Sequence, residues 1–500
     1  MRDAPFLRLP FRLGILAAAA LLATGCAVGP NYERPAGTLD AEFINAGASA
    51  SNTRPVPADI ASFWRGFGDE ALSTLVDRAL AANGDVRIAQ ARLQEARADL
   101  GLANAQLLPD VGVSAGATRG VTPITQAPGL SRSDRTGTVY DAGFVANWEL
   151  DFFGRNRRAS ESAAALVAAS EAGLHAAHTA VAAEVARNYL ELRGLQQRLQ
   201  VADTSLVNQR ESLRITEARL DAGRGTQLDI ARARTLVENT EATRPALQAA
   251  IDRTVYRLAT LSAQPPRALA ATLAPVTALP GLPVTDLAAL PLGTTEAWLA
   301  RRPDLIAAER QLAAATASIG VAKADLYPRI SLSGLLGLNA ATLGDLGRSE
   351  SAIYSLGAGL SWSVLDFGRV RSRIAASEAR AQASLASYEQ TVATALEETE
   401  GALTQFTRNA QRAERLDRAA RSAEEAAELA RLRYDAGVTD FLVVLDAERE
   451  VLASRDQLVQ AQVGTATALV SVYRALGGGW TAPAEAAPAV PVAVSSNSPR

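Results

Sequence analysis

Two stretches of the chain alternate between apolar and polar side chains. Their apolar positions are Tyr140, Ala142, Phe144, Ala146, Trp148 and Leu150 in the first stretch, and Tyr354, Leu356, Ala358, Leu360, Trp362 and Val364 in the second. A period of two over about ten residues, with aromatic rings near the ends, is typical of a β-strand that crosses a membrane. The same pattern would also suit a surface sheet with one face in water.

Each alternating stretch has a partner that begins after a proline, at Pro109 and Pro328. We therefore predict four strands, at about residues 109–120, 138–151, 328–338 and 353–366. Four strands are too few to close a barrel, and an open edge in lipid leaves backbone groups unpaired at several kcal/mol each. If these strands lie in a membrane, copies of the chain must combine them, as twelve strands from three copies or eight from two.

The segments that follow the alternating stretches are predicted to be long helices. No proline interrupts the chain from Arg155 to Asp221, which is roughly 100 Å of helix if unbroken, and Arg369 to Ala436 has the same character. Hydrophobic residues recur every seven positions, a spacing that indicates helices packed along their length. The series are Val185, Leu192, Leu199, Leu206, Leu213 and Leu220, then Val444, Val451, Leu458, Thr465 and Val472, and beside it Leu445, Leu452, Val459, Ala466 and Tyr473.

The chain contains one structural unit written twice. Asp85 and Pro109 have counterparts 219 residues later, at Asp304 and Pro328. From the second strand onward the offset is 214 residues, as between Trp148 and Trp362. Agreement at several separate positions indicates an internal duplication, with each half built as helix, strand, strand, long helix, turn and long helix.

This duplication sets the predicted domain organisation. We expect the two long hairpins to reverse at Gly223 and Gly437. The predicted segments are a signal peptide over 1–25, a linker over 26–68, a first repeat over 69–262, a connector over 263–293, a second repeat over 294–476, and a disordered tail over 477–500.

The N-terminus resembles the signal of a bacterial lipoprotein. Arginines precede an apolar run from Leu13 to Ala23, which is shorter than the ~20 residues needed to span a bilayer. The run ends in Leu22-Ala-Thr-Gly-Cys26, so the only cysteine of the chain stands where such a protein is cleaved and lipidated. The resemblance implies that Cys26 carries covalent lipid, and the absence of an aspartate after it implies sorting to the outer membrane. A stray cysteine in an ordinary secretory signal is the alternative.

Composition excludes several classes of function. The formal net charge is −3, which argues against a nucleic-acid partner. One cysteine and two histidines leave no disulfide scaffold and few metal sites; His175 and His178 lie three residues apart on a predicted helix but lack a third ligand. No phosphate-binding loop or nucleophile motif is present, so we predict neither an enzyme nor a cofactor other than the lipid on Cys26.

The whole pattern resembles the TolC-like outer membrane factors, in particular the lipoprotein branch that serves RND-type multidrug efflux pumps. The residues that carry this resemblance are Cys26-Ala-Val-Gly-Pro-Asn-Tyr-Glu-Arg-Pro35, Phe63-Trp64, Phe67-Gly68-Asp69, Leu72 and the duplicated positions above. It implies a mainly α fold with a membrane β-barrel: a homotrimer whose helical hairpins form a tunnel below a shared twelve-stranded barrel. The implied partners are outer membrane lipid, a periplasmic adaptor protein and an inner-membrane RND-type transporter.

The resemblance also implies a gate near the second helical turn. Carried over to this sequence, Leu442 forms an apolar constriction and Asp446 an acidic ring, with Arg449 nearby. Val443 departs from relatives that have a second acidic residue there. For Asp446 the alternative is a solvated residue that pairs with an arginine three positions later on its helix.

A latch between neighbouring coils is implied as well. Tyr434 and Asp229 occupy positions that are joined by a hydrogen bond in relatives. Thr439 stands where some relatives have an arginine, so part of this latch is absent from the sequence.

We therefore predict that the chain forms the outer-membrane exit duct of a tripartite efflux system for drugs and other toxic small molecules. Within the same family a metal-ion efflux channel or a type I secretion channel is an alternative. From a different class, a lipid-anchored coiled-coil spacer would explain the helices but has no use for the alternating strands.

Overall fold

The computed structural model describes residues 27–35, 43–44, 60–283, 298 and 300–478. Its helices are α1 (Ile60–Arg65), α2 (Glu70–Ala82), α3 (Gly84–Ala105), α4 (Arg155–Asp221), α5 (Gln227–Leu261), α6 (Pro266–Leu273), α7 (Pro303–Ala324), α8 (Arg369–Asp435) and α9 (Phe441–Ala475). Its strands are β1 (Asp110–Val121), β2 (Thr136–Leu150), β3 (Arg329–Ala340) and β4 (Ala352–Ser361). The predicted fold class, mainly helical with four strands and long hairpins, is confirmed.

The two halves have matching elements. Helices α4 and α8 are each 67 residues long, and α5 and α9 are each 35. Strands β1 and β3 have 12 residues each. The first residues of α4 and α8, Arg155 and Arg369, are separated by the 214 residues that the sequence repeat shows. The duplication therefore extends from the sequence to the length of the elements.

Two parts of the chain form separate compact units. The first consists of residues 1–36, 92–171 and 307–389, and the second of residues 37–91, 172–306 and 390–500. Each unit draws on both repeats, so the repeats do not fold as two domains in succession.

The first unit contains the sheet, in which all four strands are antiparallel and follow the order β1-β2-β3-β4. Directly paired residues share a face, and the register brings together the alternating residues of all four strands. Around Phe144, one face carries Val113, Leu336 and Tyr354, all apolar or aromatic. The opposite face is mostly Gly, Ser and other polar residues. The sheet is therefore apolar across its whole width on one side.

The indole groups of the two repeated tryptophans have equivalent partners. Trp148 Nε1 donates to the carbonyl of Leu107 at 3.0 Å, and Trp362 Nε1 donates to the carbonyl of Leu326 at 3.1 Å. In each half the tryptophan at the end of a strand thereby binds the carbonyl that follows the preceding helix. Both indoles remain partly exposed, as suits a ring that is apolar on one side and polar at its tip.

The N-terminal segment 27–35 is fixed to this first unit by Arg158. The guanidinium is almost fully buried and donates to the carbonyl of Val28 at 3.3 Å and to Asn31 Oδ1 at 2.8 Å. A Cβ atom at Gly320 would come within 2.8 Å of the carbonyl oxygen of Val28. Glycine is required there because the segment passes directly over the helix backbone. Cys26 lies outside the described residues.

The second unit contains the main cluster, which surrounds the buried rings of Trp64, Trp298, Tyr189 and Phe406. Phe63 stacks on Tyr473, with ring centroids 4.0 Å apart. The Tyr189 hydroxyl donates to Asp69 Oδ2 at 2.6 Å, and Asp69 Oδ1 accepts from the first turn of α2. Burial, with the neighbouring Asp69 carboxylate, raises the pKa of Tyr189 to about 12. The aromatic residues of the Phe63-Trp64 motif are thus core residues.

The seven-residue series mark helix positions that are buried or half-buried. In α9 they include Val444, Leu458 and Val472 in one series and Leu445, Val459 and Tyr473 in the other. Helix α6 lies in the predicted connector 263–293, and residues 284–293 fall outside the described residues. At the other end, the amides of Gly477 and Gly478 bond the last turn of α9, and residues 479–500 fall outside.

No helix in the described ranges has both the length and the apolar character that crossing a bilayer requires.

Two facing glycines hold β2 and β3 at close approach. Gly143 is paired with Gly337, and a Cβ atom at Gly337 would lie 2.6 Å from the carbonyl oxygen of Ala142. We expect Gly337→Ala to destabilise the folded protein by about 1 to 3 kcal/mol, because the added methyl meets backbone.

The measurement is the thermal unfolding midpoint of detergent-purified protein. Gly137→Ala is the matched control, because the same change elsewhere in β2 meets no atom within 4 Å. An equal effect of both substitutions would show that strand propensity, and not the close contact, sets the cost.

Candidate functional site

The two long hairpins reverse through the same backbone motif. At the first reversal the amide of Gly223 bonds the carbonyl of Leu220 and the amide of Arg224 bonds that of Arg219. The second reversal repeats this with Gly437 and Tyr434, and with Val438 and Arg433. Both glycines have φ of +71°, the left-handed conformation with which such a helix end closes. This conformation is the physical reason for glycine at the two predicted turns.

A second, smaller apolar cluster lies beside these reversals. We call it the turn cluster; it consists of Ala233, Leu236, Ala430, Phe441, Val444 and Leu445. Leu442 and Val443 lie between its members on α9 but are each nearly half exposed. The first turn of α9 therefore has one buried side and one apolar side that no described residue covers.

Asp446 and Arg449 form an exposed pair one turn further along α9. Asp446 Oδ1 lies 3.8 Å from Arg449 Nη1, and both side chains are more exposed than buried. Exposed pairs of this kind contribute about 0 to 1 kcal/mol, so the carboxylate is not committed to its neighbour. The predicted acidic ring and the alternative of a solvated local pair both agree with this geometry.

The two predicted latch residues have separate partners within the chain. The Asp229 carboxylate accepts from the Thr226 hydroxyl at 2.7 Å and from its backbone amide at 3.3 Å, which completes a capping box at the start of α5. The Tyr434 ring lies under the Arg219 guanidinium, 3.9 Å from its Cζ, and 5.2 Å from the Phe441 ring. No hydrogen bond joins Tyr434 to Asp229 within the described chain, and the latch between neighbouring coils stays a prediction.

Arg219 is a residue of this site that sequence reasoning missed. Its Nη2 donates to the backbone carbonyl of Tyr434 at 3.0 Å, in addition to the stacking on the ring. Arg219 therefore ties the end of α4 to the end of α8, so that the two reversals are held together. Its place in the last turn of a long helix was the available indication, since cations are favoured there.

The sequence also gave no indication of a polar cavity between α4, α8 and α9. It has a volume of about 690 Å³ and is lined by residues that include Gln209, Asn208, Glu424, Arg431, Glu448 and Arg455. Glu448 is buried, and its Oε1 accepts from Ser212 Oγ at 2.6 Å and from Arg431 Nη2 at 2.9 Å. Its Oε2 and both polar atoms of the buried Gln209 amide have no hydrogen-bond partner within the described residues. A cavity of this size and polarity is suited to hold water.

His175 and His178 do not assemble a metal site with other side chains. Their ring centroids are 6.3 Å apart, and burial lowers the pKa of His178. Among the residues with described positions, no group of three or more His, Cys, Asp or Glu side chains is arranged to hold a metal ion.

Comparison with known proteins assigns the chain to a family. The family model described as "outer membrane efflux protein" matches residues 75–264 and 295–478, which are the two repeats. The chain belongs to the outer membrane efflux protein family. It is 32% identical over 474 residues to the pyoverdine export outer membrane protein OpmQ of Pseudomonas aeruginosa, covering 94% of this chain and 97% of that protein.

Two further similarities agree with this assignment. The solvent efflux pump outer membrane protein SrpC of Pseudomonas putida is 31% identical over 469 residues, covering 93% of this chain and 97% of SrpC. Among solved structures, that of the outer-membrane channel OprN has a TM-score of 0.84 and 42% identity, and the match covers 91% of this chain and 100% of OprN. The family predicted from the sequence is thereby confirmed.

The buried Glu448 carboxylate should contribute to stability more than any exposed pair. We expect Glu448→Ala to destabilise the protein by about 1 to 3 kcal/mol, because it leaves Ser212 and Arg431 without their shared acceptor. The thermal unfolding midpoint in detergent measures this loss.

Glu414→Ala is the control, since it removes an exposed partner of Arg418 on α8 and should change stability by less than about 0.5 kcal/mol. A Glu448→Ala protein as stable as the wild type would mean that the cavity solvates the freed groups fully.

Proposed function

We propose that this protein is the outer-membrane exit channel of a tripartite efflux system, through which small molecules such as drugs and toxic compounds leave the cell. The supporting observations are its family and a four-stranded sheet that is apolar across one whole face. A coiled-coil spacer, the alternative from another class, would have no need of such a sheet. The family consists of channels, so the protein conducts and does not catalyse.

The proposed assembly is a homotrimer anchored in outer membrane lipid. A sheet of four strands has two unpaired edges, and each unpaired backbone group in lipid costs several kcal/mol. Twelve strands from three copies remove every edge by closing one barrel. The long helices α4, α5, α8 and α9 of the three copies then form the periplasmic tunnel.

The channel supplies a path and not a driving force. A periplasmic adaptor and an inner-membrane RND-type transporter are the proposed partners, and the transporter provides the energy. OpmQ is named for pyoverdine export and SrpC for solvent efflux, two different cargoes at nearly the same identity to this chain. We therefore assign a small-molecule cargo without choosing among compounds.

The proposed gate is the exposed side of the first turns of α9. Leu442 provides an apolar constriction, and Asp446 of the three copies forms an acidic ring with Arg449 beside it. Three carboxylates around one axis repel each other by ~1 to 3 kcal/mol per pair at about 6 Å, so the ring attracts cations and partner arginines. Tyr434 and Asp229 are the proposed latch, and the turns at Gly223 and Gly437 end the hairpins.

Shortening either gate side chain should make the channel leak. We expect Leu442→Ala and Asp446→Ala to raise single-channel conductance in planar bilayers and to increase the sensitivity of cells to vancomycin, because the constriction is wider or less charged. Leu432→Ala is the control, since Leu432 is an exposed leucine of α8 outside the proposed gate. Conductance and vancomycin exclusion unchanged from wild type in both gate variants would refute the gate.

The proposed lipid anchor has an independent test. Cys26→Ser should abolish labelling of the protein with radioactive palmitate, because Cys26 is the only cysteine of the chain. Assembly should persist, since the sheet also anchors the protein. Labelling that survives the substitution would place the acyl group elsewhere.

A further inference from the structure

The two outer strands of the sheet are unpaired along one side. In the order β1-β2-β3-β4, β1 pairs only with β2 and β4 pairs only with β3. Every residue of β1 is exposed, and nine of the ten residues of β4 are exposed. The page therefore offers two free edges whose partner strands have to come from outside this sheet.

The repeated halves of the sheet have identical registers. In the first hairpin Asp110 is opposite Asn147, and in the second Arg329 is opposite Ser361. Arg329 follows Asp110 by 219 residues and Ser361 follows Asn147 by 214, which are the offsets of the sequence repeat. The repeat thus relates strand pairs residue by residue: β1 corresponds to β3, and β2 corresponds to β4.

The pairing of β2 with β3 joins the two halves, and it provides the template for the free edges. We infer that β4 of one copy pairs antiparallel with β1 of a second copy in the repeat-equivalent register of β2 and β3. Trp148 opposite Leu332 in one chain then corresponds to Trp362 opposite Val113 of the second copy. This inference rests on the proposed assembly of several copies and specifies which atoms join them.

The inferred register keeps the two faces of the sheet continuous. It places Tyr354 opposite Val121 and Leu360 opposite Ala115 of the second copy, so apolar residues meet apolar residues. The polar face continues with Ser361 opposite Ser114. A shift by one residue would turn all the apolar side chains of one strand toward the polar face.

The lengths of the inner and outer strands agree with a missing neighbour. Strand β2 extends to Leu150 because Trp148, Glu149 and Leu150 pair with β3. Their equivalents, residues 362–364, have no such partner, and β4 ends at Ser361. Pairing with Val111, Gly112 and Val113 of a second copy would extend β4 to Val364.

An aromatic contact outside the strands gives a second, independent observation. Phe153 stacks on Tyr327 with ring centroids 4.6 Å apart. The repeat-equivalent residues are Phe367 and Leu108, and these are 96% and 65% exposed. Phe367 is also held at φ of +51°, an uncommon conformation for a residue with a side chain. The same register brings Phe367 of one copy to Leu108 of the next, which covers both.

Disulfide cross-linking of four double variants tests this register. The matched pairs are Ser114→Cys with Ser361→Cys and Gly112→Cys with Ser363→Cys. The mismatched pairs recombine the same substitutions, Gly112→Cys with Ser361→Cys and Ser114→Cys with Ser363→Cys, and are displaced by two residues. Each new cysteine thereby occurs once in register and once out of register, and all four residues are small.

Three further samples complete the experiment. Asn147→Cys with Ser333→Cys is the in-chain control, since these residues are paired in the structure and are the repeat equivalents of Ser361 and Ser114. The single variants report any disulfide with Cys26. Native mass spectrometry of the same detergent preparations counts the copies independently of cross-linking.

After oxidation, we expect both matched pairs to give covalent dimers and trimers on non-reducing gels, at least about tenfold more than the mismatched pairs, because Cα atoms more than ~7 Å apart are not bridged. Stronger cross-linking of a mismatched pair would overturn the register and leave the assembly standing. If no pair cross-links although the in-chain control does, the edges do not meet. A trimer in the mass spectrum then rejects only this inference, whereas a monomer rejects the proposed assembly as well.

Discussion

Backbone hydrogen bonding at the edges of one sheet is the constraint on which the rest of the structure depends. The four strands satisfy one another only within the chain, and their apolar face leaves little reason for water to satisfy the rest. A single copy cannot meet this requirement, whereas several copies can. The long helices, the reversals and the N-terminal segment are arrangements of a subunit that is complete only beside others like it.

The duplication gives this constraint a simple solution. Because both hairpins have the same register and the same offsets, the contact between β2 and β3 within a chain already contains the geometry that a contact between chains needs. The residues differ where the environments differ: Phe153 has Tyr327 beside it within the chain, while its equivalent Phe367 is bare. Equal element lengths and unequal exposure therefore identify which contacts are internal and which remain for a neighbour.

Periodic features were predictable from the sequence, and contacts between distant residues were not. The strands, the sevenfold helix series and the glycine turns follow local rules of spacing and backbone conformation. Arg219 over Tyr434 and the group formed by Glu448, Arg431 and Ser212 join residues on different helices, and their sequence neighbourhoods resemble any charged helix surface. The roles of Leu442, Asp446 and Asp229 depend on neighbouring copies, so they remain predictions, and Cys26 lies outside the described residues.

The polar cavity beside Glu448 separates the main cluster from the turn cluster. A continuous apolar seam would resist sliding along its whole length, because every interlocked side chain would have to leave its hole together. Here the interlocking is interrupted by amides, hydroxyls and charged groups that exchange hydrogen bonds with solvent at little cost. The short apolar patch near the reversals can consequently loosen and re-form while the larger one stays intact, so the mechanical compliance of these helices is concentrated at one end.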